Sequence, residues 1–329
     1  MKLVTFEVDS SVGPLRRVGA LVGENVVDLQ LAYARHLRRR GTYRAFELAS
    51  ATVPNDLLPF IENGPVAMEA AERAIEFARE EGDDEPAGGQ ILYRREQVRL
   101  RAPMSRPTAI RDTLNFEQHM RNSLRIMGVP DGKPPELWYQ VPSYYRTTNT
   151  NVAGPDDPII WPSYTEQLDY ELEFACCIGK EGINIPRERA GDYIFGYTVY
   201  NDVSARDILQ KELSLRVGPA KGKNFLNSNI IGPCIVTADE IDPDNLKMVA
   251  RINGDVWSEG SSSGMQFKFV DLVAYLSKEE TIYPGELICS GTVGFGCCME
   301  LGKWIKPGDV VELEVEGIGV LRNRVERRG

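Results

Sequence analysis

Two periods divide the chain. Over the first 30 residues apolar and polar positions alternate, with Leu3, Thr5 and Glu7 on one face and glycines punctuating the runs at 17–22 and 25–28. A period of two predicts a small antiparallel sheet. The spacing then becomes helical: residues 29–40, a short helix over 55–63, and an amphipathic helix over 66–81 with Ala, Met and Ile set between glutamates. Residues 82–89 are polar and glycine-rich, the composition of a flexible linker. This places a small N-terminal α+β domain at 1–90 and a larger domain at 91–329.

The second part is strand-rich. Runs at 98–103, 170–178, 195–200 and 310–315 read as strands, 109–122 as a short strand giving way to a helix, and Asn253-Gly254 between 248–252 and 256–258 is a strong hairpin signal. Helices are predicted within 109–122, with Asp112 or Thr113 near the cap, from 203, and over 269–277. Residues 123–150 carry Pro, Gly, Trp and Tyr with little periodicity, the pattern of an active-site lid. The fold class is therefore α+β, mostly β.

Composition narrows the function. With 42% hydrophobic and 26% charged residues the chain is ordinary for a globular protein, and its net charge of −10 argues against nucleic acid as partner. An anionic ligand would need a local cation or basic cluster. No apolar run is long enough to span a bilayer, and residues 1–7 show no signal peptide. Of six cysteines, four form the adjacent pairs Cys176-Cys177 and Cys297-Cys298, and none makes a Cys-x-x-Cys motif. Neighbouring strand residues face opposite ways, so these read as reduced thiols of a cytoplasmic protein without a zinc motif.

The chemistry centres on Glu171 and Glu173 in the 170–178 run. Spaced i and i+2 on a strand, both point to one face. Two like charges on an apolar strand repel, and a hard divalent cation between them relieves the cost. The same spacing also suits a solvated strand face, the reading given to Glu312 and Glu314. Asp202 ends a strand ahead of a helix that begins near Arg206, a frequent ligand position. Lys221, Lys223 and Asn224 share a glycine-bracketed loop. Taken singly, Asp112 is also read as an N-cap, His119 as a surface histidine, Lys223 as a surface lysine and Arg206 as half of a structural ion pair.

Four segments change this picture by occurring in order: Asp169-Tyr170-Glu171-Leu172-Glu173, Tyr200-Asn201-Asp202-Val203-Ser204-Ala205-Arg206-Asp207, Gly222-Lys223-Asn224-Phe225 and Ser290-Gly291-Thr292. Together they resemble the fumarylacetoacetate hydrolase family over roughly residues 100–325. The resemblance implies a mixed β-sandwich roll behind a small leading domain, a homodimer, and a site for Mg²⁺, with Mn²⁺ or Ca²⁺ as alternatives. It implies Glu171, Glu173 and Asp202 as metal ligands, with Asp112 as a fourth. It implies His119 as general base oriented by Glu300, Lys223 as the group polarising substrate, and Arg206 and Thr292 in the pocket. Tyr144, Arg146 and Gln210 are expected to bind substrate. Two departures stand out: Leu209 intervenes before Gln210, and Asn122 stands where short members carry a Glu, which leaves Glu300 as partner of His119. The implied activity is metal-dependent hydrolysis of a C–C bond in a small anionic diketo acid, acylpyruvate-like or fumarylacetoacetate-like, in aromatic catabolism. Decarboxylation, isomerisation or hydration of a 2-oxo acid is the alternative.

Overall fold

The computed structural model describes residues 1–82, 89–216 and 218–327, so most of the expected linker, at 83–88, lies outside the described residues. The leading alternation forms Lys2–Val8, Leu15–Val22 and Asn25–Asp28, paired antiparallel in chain order. Asp28 then switches the backbone to helix, its carboxylate accepting from the Leu31 N–H at 2.9 Å while Arg17 Nε donates to it at 2.7 Å. The Leu29–Arg39 and Pro65–Glu81 helices pack on each other. Ala67, Ala70, Ala71, Ala74 and Ala78, spaced three and four apart, form the buried stripe of the second.

Lys2–Val8 also pairs with Asn229–Thr237, which makes the leading strands continuous with a long sheet. That sheet runs on through Ile194–Asp202, Leu172–Ile178, Glu286–Cys289 and Ala109–Thr113 to Tyr144–Thr147. Along this path every neighbour is antiparallel except Glu286–Cys289 and Ala109–Thr113, which are parallel. A second sheet, Asp255–Ser261, Lys247–Ile252, Val310–Val315, Gly319–Arg327 and Ile159–Trp161, covers one face. Between the sheets lie Phe174, Val199 and Ile230 from the first and Met248, Leu313 and Leu321 from the second. On the opposite face Ala175, Tyr200 and Ile231 meet Leu57, Phe60 and the alanine stripe. Leu172–Ile178 is buried on both faces, which explains its unbroken apolar run. The architecture is the α+β, mostly β sandwich expected. At the Asn253-Gly254 turn both residues have positive φ, 55° and 89°, as a tight hairpin turn requires.

Four local expectations are corrected. The strand expected from residue 170 starts at Leu172, because Leu168–Asp169 pairs instead with Ser204–Ala205 and Glu171 bridges to Cys297. Asp112 lies within the Ala109–Thr113 strand, and Phe116 is the N-cap of the Glu117–Ile126 helix, without a side-chain capping bond. The helix expected from 203 starts at Arg206. The 123–150 segment is no featureless lid: the Glu117–Ile126 helix enters it, and Tyr144–Thr147 is an edge strand of the main sheet.

Candidate active site

Strand parity gathers the acids. Glu173 shares its face with Ala175 and Cys177, Asp202 with Tyr200, and Asp112 with Ile110, all on the helix-covered side of the main sheet. Glu171, where the chain has left the ladder, turns to the same point. One carboxylate oxygen from each of Asp112, Glu171, Glu173 and Asp202 lies within 4.8 Å of the others, and all four residues are buried.

Such a cluster is unstable without a counter-charge, and only part of it is supplied. Lys223 Nζ donates to Glu171 Oε2 and Asp202 Oδ2, each at 2.6 Å. Arg206 donates to the other Glu171 oxygen at 2.6 Å, and the Tyr145 hydroxyl donates to Asp202 at 2.5 Å. Thr292 donates to Glu173 Oε1 at 3.1 Å. Burial, and then repulsion among the acids, holds the Asp112 and Glu173 carboxyls well above their ordinary range, and burial raises Asp202 despite Lys223. Glu171 goes the other way: burial would raise it, but Lys223 and Arg206 hold it well below. Asp112 Oδ1, Glu173 Oε2 and Asp202 Oδ1 are buried without a hydrogen-bond partner. A cluster of four buried carboxylates with three such orphaned oxygens fits a hard divalent cation such as Mg²⁺, Mn²⁺ or Ca²⁺.

Beside this cage His119 Nδ1 lies 2.8 Å from Glu300 Oε2. Glu300 rides on a short helix, Cys298–Leu301, that the sequence does not announce. Asn122 Nδ2 and the Phe295 N–H also donate to Glu300, at 2.8 and 3.0 Å. Burial would raise the Glu300 carboxyl, but His119 and these donors hold it below its ordinary range. Asn122 therefore supports the acid that partners His119.

Asp112, Glu171 and Glu173 of the cage and His119 of the pair face one cavity of about 760 Å³, also lined by Tyr144, Gln210 and Thr292 and by the apolar Met120, Ile126, Met127 and Leu213. Leu209 and Gln210 both reach it. Arg146 does not line it. Its strand pairs Arg146 with Arg111 and Tyr145 with Asp112, so parity sends Arg146 to the opposite face, where it joins Arg111 on Glu280. Tyr145, between two residues expected to bind substrate, is the one that reaches the cage. Glu312 and Glu314 stay apart from it, each beside an arginine.

Residues 108–326 match the family described as fumarylacetoacetate (FAA) hydrolase C-terminal. The chain belongs to the fumarylacetoacetate hydrolase family. Among relatives of this family, the human mitochondrial oxaloacetate tautomerase FAHD2A is 31% identical over 99% of this chain and 91% of its own. The oxaloacetate tautomerase YisK of Bacillus subtilis is 30% identical over 94% of this chain and 95% of its own. The solved fumarylacetoacetate hydrolase of Exiguobacterium antarcticum superposes with a TM-score of 0.72 at 24% identity, covering 99% of this chain and all of that one. Like the fold, the six cysteines agree with expectation: all are buried and free. No helix of the described residues is long and apolar enough to cross a membrane.

Proposed function

We propose that this family member is a divalent-metal-dependent tautomerase that interconverts keto and enol forms of a small anionic 2-oxo acid of the oxaloacetate class. The observation that carries the reading is the juxtaposition of an all-oxygen cage with the His119–Glu300 pair in one cavity. The names of the relatives, matched over nearly their whole length, support the substrate class.

Asp112, Glu171, Glu173 and Asp202 would hold the cation, Mg²⁺ or Mn²⁺ before Ca²⁺. Bound there, it supplies Lewis acidity that polarises the 2-oxo group and stabilises negative charge on its oxygen. With Nδ1 engaged by Glu300, His119 is left with Nε2 to take a proton from C3 of the substrate and to give it back. Glu300 fixes the tautomer and stabilises the charged ring, as a carboxylate does behind a general base. Lys223 brings positive charge to an otherwise acidic site, which answers how a protein of net charge −10 holds an anion. Arg206 positions Glu171. Tyr144, Gln210 and Thr292 line the space for the rest of the substrate.

Hydrolysis of a C–C bond is the second reading, and one observation favours it. A four-carbon acid leaves most of a cavity of about 760 Å³ unfilled, and the wall by Met120, Ile126 and Met127 suits a longer acyl group. His119 would then take a proton from water. One assay separates the two: decay of enol-oxaloacetate absorbance, run beside a panel of acylpyruvates, with Mg²⁺ or Mn²⁺ and with EDTA. Metal-dependent acceleration of enol decay without new organic products is expected. Background rates with oxaloacetate, together with two products from an acylpyruvate, would overturn the tautomerase reading in favour of hydrolysis.

A further inference from the structure

A second group of metal-ligating side chains lies behind the cavity wall, reaching it through His119. One ligand atom from each of His119, Cys297 and Glu300 lies within 4.8 Å of the others. Cys297 Sγ is 3.3 Å from Glu300 Oε2, the oxygen that also faces His119 Nδ1 at 2.8 Å. The Cys297 thiol is fully buried and points at the pair rather than into the apolar core. No local spacing reveals the group, because His119 lies 181 residues from Glu300.

Its chemistry differs from that of the cage. Four carboxylates are hard donors, suited to Mg²⁺ or Mn²⁺. An imidazole nitrogen, a thiolate sulfur and a carboxylate oxygen are the donors that Zn²⁺ takes, and three protein ligands with one open position is a common zinc arrangement. Tetrahedral zinc with bonds of about 2.0–2.3 Å needs ligand atoms roughly 3.3–3.8 Å apart. The present separations of 2.8 and 3.3 Å thus have to open by only a fraction of an ångström to about one ångström.

We propose that His119, Cys297 and Glu300 form a Zn²⁺ site, separate from the oxygen cage, and that filling it stops turnover by tying up the proton-exchanging imidazole and its partner. On binding, the Cys297 thiol gives its proton to solvent. The imidazole keeps its single proton on the nitrogen that does not bind, and Glu300 exchanges hydrogen bonds for a metal bond. No oxidant or reductant is involved. The inhibition rests on the role given to His119 above; the binding does not.

Co²⁺ is the probe, added to the full-length protein with Mg²⁺ in excess to occupy the cage. A thiolate-to-cobalt charge-transfer band is expected, which an all-oxygen cage cannot give, and Zn²⁺ should displace it. Cys297→Ser and His119→Ala should each lose the band, with Zn²⁺ affinity falling by at least about tenfold, since even outer-shell changes cost about 10–100-fold. His119→Ala, at the cavity wall, carries the test if the serine variant does not fold. Absence of the band in the unaltered protein, or its persistence in both variants, overturns the site. A band that appears while Zn²⁺ leaves turnover untouched overturns the inhibition, and with it the role of His119, but not the site.

Discussion

Arg206 Nε donates to Asp169 Oδ2 at 2.7 Å in a buried pairing, and Asp169 does more than neutralise it. The same carboxylate accepts the backbone N–H groups of Cys298 and Met299, at 2.6 and 3.1 Å, and so caps the short helix that carries Glu300. Arg206 in turn reaches Glu171. One aspartate thus ties the element bearing the His119 partner to an acid of the cage.

Asp169→Asn should therefore damage both halves at once. Removing one charge of a buried pair costs about 3–5 kcal/mol. Denaturant unfolding should show a loss of that order, with weaker Mn²⁺ binding and lower turnover together. A loss below about 1 kcal/mol would mean that Asp169 is not the joint described.

Glu173→Gln should separate stability from function. At a pH high enough to ionise the raised carboxyl, it removes a buried charge that other acids repel, so there the metal-free protein should melt at a higher temperature than the unaltered one. Mn²⁺ affinity, read by calorimetry, should fall by at least about tenfold. A lower melting temperature without metal would contradict the account of the cage as a strained cluster.

The His119–Glu300 pair should matter to rate and little to metal. His119→Ala and Glu300→Gln are expected to lower turnover by roughly 10²–10⁴-fold, the usual contribution of a positioned base. Mn²⁺ affinity should change far less. Turnover left near that of the unaltered protein would remove His119 from the mechanism.

The dependence of stability on pH follows from the shifts in the cage. Asp112, Glu173 and Asp202 have carboxyls raised in the folded protein, so their contribution is present below the ordinary carboxylate range and is lost as pH rises through the folded values. Glu171 is lowered, and its contribution is lost only as pH falls towards strong acid. The metal-free protein should thus lose melting temperature as pH rises from mildly acidic to neutral. The stabilisation given by Mn²⁺ should grow over the same interval, because binding needs the ionised acids. Equal Mn²⁺ stabilisation at pH 5 and pH 8 would contradict this.

Arg146→Ala should be nearly silent. Its pairing with Glu280 is largely solvent-exposed and lies outside the cavity, so turnover should stay within about twofold and stability within about 1 kcal/mol. A large rise in KM would restore it to substrate binding.

Legibility in the sequence followed distance along the chain. Glu171 and Glu173 were readable because strand parity is a local rule, and Asp202 because it ends a strand. Asp112 looked like a cap, since its place on the sheet depends on pairing with Glu286–Cys289 far downstream. Tyr145 and Arg146 are neighbours in a stretch without periodicity, and only their register against Asp112 and Arg111 says which one faces the cage. Asp169 stood in plain view beside Glu171, but both of its partners arrive from elsewhere. Nothing in residues 2–8 announces that they pair with 229–237.

The parallel pairing of Ala109–Thr113 with Glu286–Cys289 also bears on how the molecule is made. Thr113 hydroxyl and Cys289 carbonyl, 2.8 Å apart, come from residues 176 positions apart. Asp112 cannot take its place beside the other acids until the nascent chain has grown past that strand, and Glu300 emerges later still. Pairings of such long range form slowly. The acids at 171, 173 and 202 are thus made before the strand that anchors Asp112, and the four-carboxylate cluster is complete only late in synthesis.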